Sequence, residues 1–262
     1  MLILGLTGSI ATGKSTVSRY LSSTHGLPTV DADLIARQVV EPGTAGYARI
    51  VEHFSATTPG LVGVRGGPLN RAVLGRRVFG GSAERVRDRK ALNGIVHPLV
   101  KREMVRQVLR AWWRGAWAVV LDVPLLFEAG METVCGGVVV VSVGEERQLQ
   151  RLMRRDGSSA EEAASRVRSQ WSVDEKIALA RCVFGEKAWV VRNEGTLEEL
   201  EHQVDQLMDV IRSRRVGWWR WVWGNPLAAV ILGVLIMAAN WWRRREWEEK
   251  KREGSMEGKS KL

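Results

Sequence analysis

The stretch "LILGLTGSIATGKSTV", residues 2–17, decides the fold. An apolar run from Leu2 to Leu6 has the character of a buried first strand, and a helical pattern begins at Lys14. Between them, "GSIATGKS" (8–15) fits G-x-x-x-x-G-K-[ST] without a mismatch. A strand before and a helix after are the context that this motif requires. Gly8 and Gly13 carry no Cβ, so the backbone can close on phosphate oxygens. The N–H groups of Ser9, Ile10, Ala11, Thr12, Gly13, Lys14, Ser15 and Thr16, with the positive end of the helix, then face the anion. Lys14 supplies a point charge for the β- and γ-phosphates, and the Ser15 hydroxyl is a candidate Mg²⁺ ligand. The loop therefore predicts a nucleoside triphosphate with Mg²⁺, and is silent on the acceptor.

Outward from this loop, short β-favouring runs recur at "LPTVD" (27–31), "AWAVVLDVPLL" (116–126), "GGVVVVSV" (136–143) and "AWVVRN" (188–193). Helical patterns separate them, so the expectation is an α/β P-loop kinase with a parallel sheet of about five strands. The stretch from the second to the third strand is free of strand signals and reads as a helical insert, with a Gly-rich loop at 55–67. "EERQLQRLMRRD" and "SAEEAASRVRSQ" read as two helices, the second capped by Ser158 or Ser159. A long helix starts at "TLEELEHQV", with Thr196 as N-cap and Glu199 as its capping-box partner.

The chain of 262 residues is 45% hydrophobic, enough for a core. Cys135 and Cys182 are far apart and match no metal or redox spacing. The formal charge is +10, but 12 of the Lys and Arg residues and only 5 of the Asp and Glu fall from Arg212 onward. The body is nearly balanced and has no basic recognition element, which argues against a nucleic-acid partner. "MLILGLTG" lacks the basic region and length of a signal peptide. Residues 221–242 are uncharged, and seven of the 12 tryptophans flank that run (Trp218, Trp219, Trp221, Trp223, Trp241, Trp242 and Trp247). About 20 apolar residues between aromatic belts predict a transmembrane helix, here over 216–245, followed by a charged tail at 246–262. Basic residues on both flanks leave its orientation open. A tail anchor with the remainder in the cytosol, on the mitochondrial outer membrane or the endoplasmic reticulum, is the simplest expectation. Oligomeric state is unknown from the sequence.

In "VDADLIARQVVEPG" (30–43), two acids one residue apart follow the second strand. Ligands of parallel sheets bind beyond the carboxyl ends of the strands. One carboxylate there can take the proton of an attacking hydroxyl, while the other caps the helix that follows. Asp33 suits either role. Arg37 lies one turn further on the same face and can hold an anionic part of an acceptor.

"LTGSIATGKST", "DADLIARQVVEPG", "LNGIVHPLV", "LDVPLLFEAGM", "RLMRRDGSSAEEAASRVRSQ" and "NEGTLEELEHQV" occur in this order. Together they resemble dephospho-coenzyme A kinases over about residues 1–210. The resemblance implies ATP-dependent phosphorylation of the ribose 3′-hydroxyl of dephospho-CoA to give coenzyme A. It further implies an acceptor-binding insert at about 44–115 and a lid at about 151–182. By the same resemblance Asp33 is the catalytic base, and Arg37 and His97 lie around the acceptor. Asp122 binds Mg²⁺ or orients the acceptor, and Glu128 belongs to that environment. Arg151 and Arg155 fall in the lid, with Arg151 the candidate for stabilising the transferring phosphoryl, and Asn193 faces adenine. Two departures stand out: the loop at 55–67 lacks an acidic turn, and the apolar tail is not part of the basic pattern. The competing readings are a nucleoside monophosphate kinase, disfavoured by the "DADLIARQ" block, and a membrane-anchored non-catalytic scaffold. The presence of Lys14, Ser15, Asp33 and Asp122 disfavours the scaffold.

Overall fold

The computed structural model describes residues 1–63, 66–214 and 226–259. The chain divides into two compact units, Met1–Thr29 with Gly115–Leu262, and Val30–Arg114.

Five strands form one sheet: β1 (Leu2–Gly8), β2 (Thr29–Asp31), β3 (Ala118–Asp122), β4 (Gly137–Ser142) and β5 (Ala188–Arg192). Their order is β2-β3-β1-β4-β5. β1 lies between β3 and β4, parallel to both, and β4 pairs β5 in parallel. β3 and β4 are buried along their whole length, which is why they read as unbroken apolar runs rather than alternating ones. Helix α1 (Lys14–Ser23) and α9 (Leu197–Ser213) share one core with the sheet, built on Leu4, Leu6, Val17, Val139, Val204 and Met208. Thr196 and Glu199 form the expected capping box of α9.

Three α-helices lie between β4 and β5: α6 (Glu145–Asp156), α7 (Ala160–Arg168) and α8 (Val173–Phe184). Ser159 caps α7. α8 was not expected from the sequence, although Ser172 and Glu175 form a capping box at its start. That S-x-x-E signal was there to be read.

The second unit holds α2 (Ala32–Gln38), α3 (Ala45–Phe54), α4 (Arg71–Val78) and α5 (Ala83–Trp113). Its own core comprises Ile50, Phe54, Leu61, Leu69, Leu74 and Val78. Leu61 anchors the glycine-rich loop there, and its carbonyl accepts from the Asn70 N–H at 2.8 Å.

The transmembrane helix expected over 216–245 is not found. Residues 216–225 lie outside the described residues, and among the described residues no helix is long and apolar enough to cross a membrane. The last helix, α10 (Pro226–Lys259), is partly committed to protein. Asn240 is 4% exposed and donates from Nδ2 to the carbonyls of Thr133 and Cys135 at 3.1 and 2.9 Å. Arg243 donates to the Val183 carbonyl at 2.9 Å. Polar side chains held by protein on one face leave only the other face for lipid.

Candidate active site

β1 ends at Gly8, and the chain wraps through residues 9–13 into the N-terminus of α1. The wrap needs left-handed backbone. Gly13 has φ 91°, and Ala11, at φ 61°, is the single non-glycine with positive φ among the described residues. Such strain persists where surrounding contacts over-determine it. Those contacts are present. Thr12 Oγ1 donates to the Ser9 carbonyl at 2.9 Å, and Asn193 Nδ2 donates to the Thr12 carbonyl at 2.9 Å. Gln148 of α6 donates to the Ile10 carbonyl at 2.7 Å, and the Ile10 N–H donates to Gln170 Oε1 at 3.1 Å. A Cβ on Gly13 would collide with the Asn193 amide, and one on Gly8 would meet the Val141 carbonyl at 2.8 Å. Asn193, expected at adenine, is thus a strut of the phosphate loop.

Asp122 closes β3 beside Leu6 and is 3% exposed. Its carboxylate forms an ion pair with Lys14. A buried carboxylate needs such a partner, and the pair holds the lysine over the loop. Ser15 is exposed at the start of α1. Among the described residues no group of three or more His, Cys, Asp and Glu is placed to hold a metal. A nucleotide-borne Mg²⁺ needs only one or two protein ligands, so Ser15 and Asp122 fit that smaller demand.

Behind Asp122, Glu128 receives the N–H of Trp171 at 3.3 Å and pairs with Lys176 at 3.0 Å. Lys176 is fully buried and also donates to the Pro124 carbonyl at 3.2 Å. Burial holds the Lys176 ammonium below its usual pKa, Glu128 opposes this, and the charge of Lys14 adds to the lowering. Sequence reasoning missed Lys176. Its signal was a lysine on the apolar face of "VDEKIALARCVF", in line with Ala180 and Val183.

The two arginines expected in a lid differ. Arg151 Nη2 donates to the Asn193 carbonyl at 3.1 Å, while its buried Nη1 makes no hydrogen bond. Arg155 instead forks onto Asp156 at 2.8 and 3.1 Å, and Arg166 reaches the same carboxylate at 2.5 Å. Hydrogen bonds from Arg155 first, and then Arg166, hold the Asp156 carboxyl down at about 2.

In the second unit, Asp31 is the cap of α2: its Oδ1 accepts from the N–H groups of Asp33 and Leu34 at 2.9 and 3.0 Å. Asp33 is therefore not the cap, and its exposed carboxylate stands in the first turn. Arg37 is exposed in the last turn of α2, and His97 is exposed on α5 just before Pro98.

A parallel sheet with a phosphate loop between its central strand and first helix, and a lysine–aspartate pair at the strand ends, defines the P-loop kinase class. A Thermus thermophilus crystal structure shares this fold at a TM-score of 0.64 and 33% identity, covering 82% of this chain and 98% of that one. The family model for dephospho-CoA kinase matches residues 2–199, and the chain belongs to that family. The dephospho-CoA kinase of Saccharomyces cerevisiae is 42% identical over 217 residues, 82% of this chain and 85% of that protein. That of Arabidopsis thaliana is 37% identical over 241 residues, 90% and 97% of the two chains. The activity is that of a dephospho-CoA kinase, a transferase.

Proposed function

We propose that this kinase moves the γ-phosphoryl of ATP to the ribose 3′-hydroxyl of dephospho-CoA through the residues described above. The observation that carries the assignment is the match to the dephospho-CoA kinase family over residues 2–199, and the strained loop 8–15, with Lys14 paired to Asp122 beside it, supports the nucleotide side. Lys14 and the loop N–H groups hold the β- and γ-phosphates. Ser15 and Asp122 would hold Mg²⁺, which would neutralise phosphate charge when bound. Asp33 accepts the proton of the 3′-hydroxyl as the new O–P bond forms. ADP leaves as the bond from the γ-phosphorus to the bridging oxygen breaks. The unpartnered Nη1 of Arg151 meets charge on the transferring group. Arg37 and His97 hold anionic parts of the acceptor, Glu128 supports the Asp122 side, and Asn193 keeps the loop closed near the base. ADP release measured with dephospho-CoA, adenosine, AMP and pantetheine derivatives tests the reading. Turnover on AMP or adenosine equal to that on dephospho-CoA would overturn it.

We also infer membrane attachment through the apolar run of residues 221–242. Exposed Ile231, Val234, Leu235, Trp241 and Trp242 support this second reading, since large apolar patches on a surface mark interaction sites. The kinase then faces the cytosol from the mitochondrial outer membrane or the endoplasmic reticulum. Failure of the full chain to sediment with phospholipid vesicles would refute the attachment.

A further inference from the structure

The phosphate loop is gripped from outside by one short link between α7 and α8. Ser9 Oγ donates to the Trp171 carbonyl at 3.3 Å, and Gln170 accepts from the Ile10 N–H at 3.1 Å. The Trp171 N–H donates to Glu128, the partner of buried Lys176. The position of Trp171 thus bears on both the loop and the polar cluster behind Asp122. Its indole is held by residues nearly eighty positions away, on α10. The Trp247 ring lies 5.8 Å from it at 31°, and Lys251 Nζ sits 5.3 Å from the Trp171 ring and 5.1 Å from the Trp247 ring. Lys251 also pairs at 2.6 Å with Glu175, the capping-box residue of α8.

α10 is firmly seated at this point. Glu132 is fully buried, and Arg244 donates to its carboxylate at 2.5 Å and to the Phe127 carbonyl at 2.9 Å. Asn240 and Arg243 add the carbonyl contacts described above. Burial pushes the Glu132 carboxyl upward in pKa, and Arg244 opposes this. A charge committed in this way to a buried site fixes the register of the helix that carries it. That register presents Trp247, one turn further on, and Lys251, two turns further on, to Trp171.

We propose that α10 is a positioning element of the nucleotide site: Trp247 and Lys251 clamp Trp171, and the Trp171 main chain sets the phosphate loop through Ser9. Trp247 and Lys251 are positioning residues, since they act on ATP through Trp171. The proposal rests on residues 8–15 being the phosphate cradle. A segment next to the apolar run thereby acts on the affinity for ATP and not on the acceptor.

The test is steady-state kinetics of the full-length chain carrying Trp247→Ala, Trp247→Phe or Lys251→Gln, with the thermal midpoint of each. An aromatic contact contributes enough for about a 2- to 10-fold change. Trp247→Ala should raise KM for ATP by about that factor and leave KM for dephospho-CoA within about twofold, and Trp247→Phe should restore most of the loss. Unchanged constants, or an equal rise in both KM values, would overturn the proposal. If Trp247→Ala unfolds below the assay temperature, Lys251→Gln carries the same comparison, because that side chain is 49% exposed. Lys14→Ala separates the two readings. Intact ATP binding in that variant refutes the cradle, whereas its loss beside an unmoved Trp247→Ala refutes the clamp alone.

Discussion

Asp31 and Asp33 stand two positions apart and are assigned different work by one set of hydrogen bonds. Asp31 spends its Oδ1 on the first turn of α2. Asp31→Ala should therefore cost about 1 kcal/mol, the usual worth of an N-cap, read as a lower thermal midpoint. Asp33→Asn leaves that cap in place and keeps the side chain's size. It removes only the negative charge and the ability to take a proton. Turnover at saturating dephospho-CoA should fall by a factor on the order of 10² to 10⁴, the range for loss of a general base. The thermal midpoint should stay within a degree or two of wild type, about what a substitution of a few tenths of a kcal/mol does to a chain of this size. Wild-type turnover in Asp33→Asn would remove this residue from the chemistry. At this scale the sequence was legible in part. The phosphate loop is a contiguous motif whose chemistry is local. The choice between the two aspartates was not legible, because an aspartate at either position can cap a helix and only the backbone path decides which one does.

Two elements are joined by charges whose removal has a calculable sign. Asp156 ties Arg155 of its own helix, α6, to Arg166 on α7. Its folded pKa, about 2, lies below the unfolded 3.8, so the contribution is full above pH 4 and is lost as pH falls through 2. The difference in thermal midpoint between wild type and Asp156→Asn should be constant at neutral pH and shrink towards zero near pH 2. The same fork accounts for Arg155 standing apart from Arg151, which sequence position alone does not distinguish. On α10, Arg244→Ala leaves Glu132 buried without its countercharge and should destabilise by about 3–5 kcal/mol. Denaturant titration of Arg244→Ala and of Arg244→Met with Glu132→Leu checks this. The double replacement should recover much of the loss, because no buried charge remains.

For the whole molecule, the consequence concerns the C-terminal segment. All the site residues precede it, so its removal looks harmless from the sequence. The structure gives the opposite expectation. Deleting residues 216–262 strips Arg244 from Glu132 and Trp247 from Trp171, and exposes the backbone carbonyls that Asn240 and Arg243 satisfy. The truncated chain should unfold at a lower denaturant midpoint and show a raised KM for ATP; equality with the full chain in both would refute the docking of α10. By itself the sequence determined the parallel sheet, the phosphate loop and the capping box of α9. In these the controlling interactions run over a few neighbours or repeat with a fixed period. The tertiary structure decided the partners of Lys14, Asn193, Lys176 and Arg244. Asn193 meets a carbonyl 181 positions away, and Arg244 a carboxylate 112 positions away. A buried charge or amide must find a partner, but the rule names no particular one, and only the packing of the sheet and its helices brings that partner within reach.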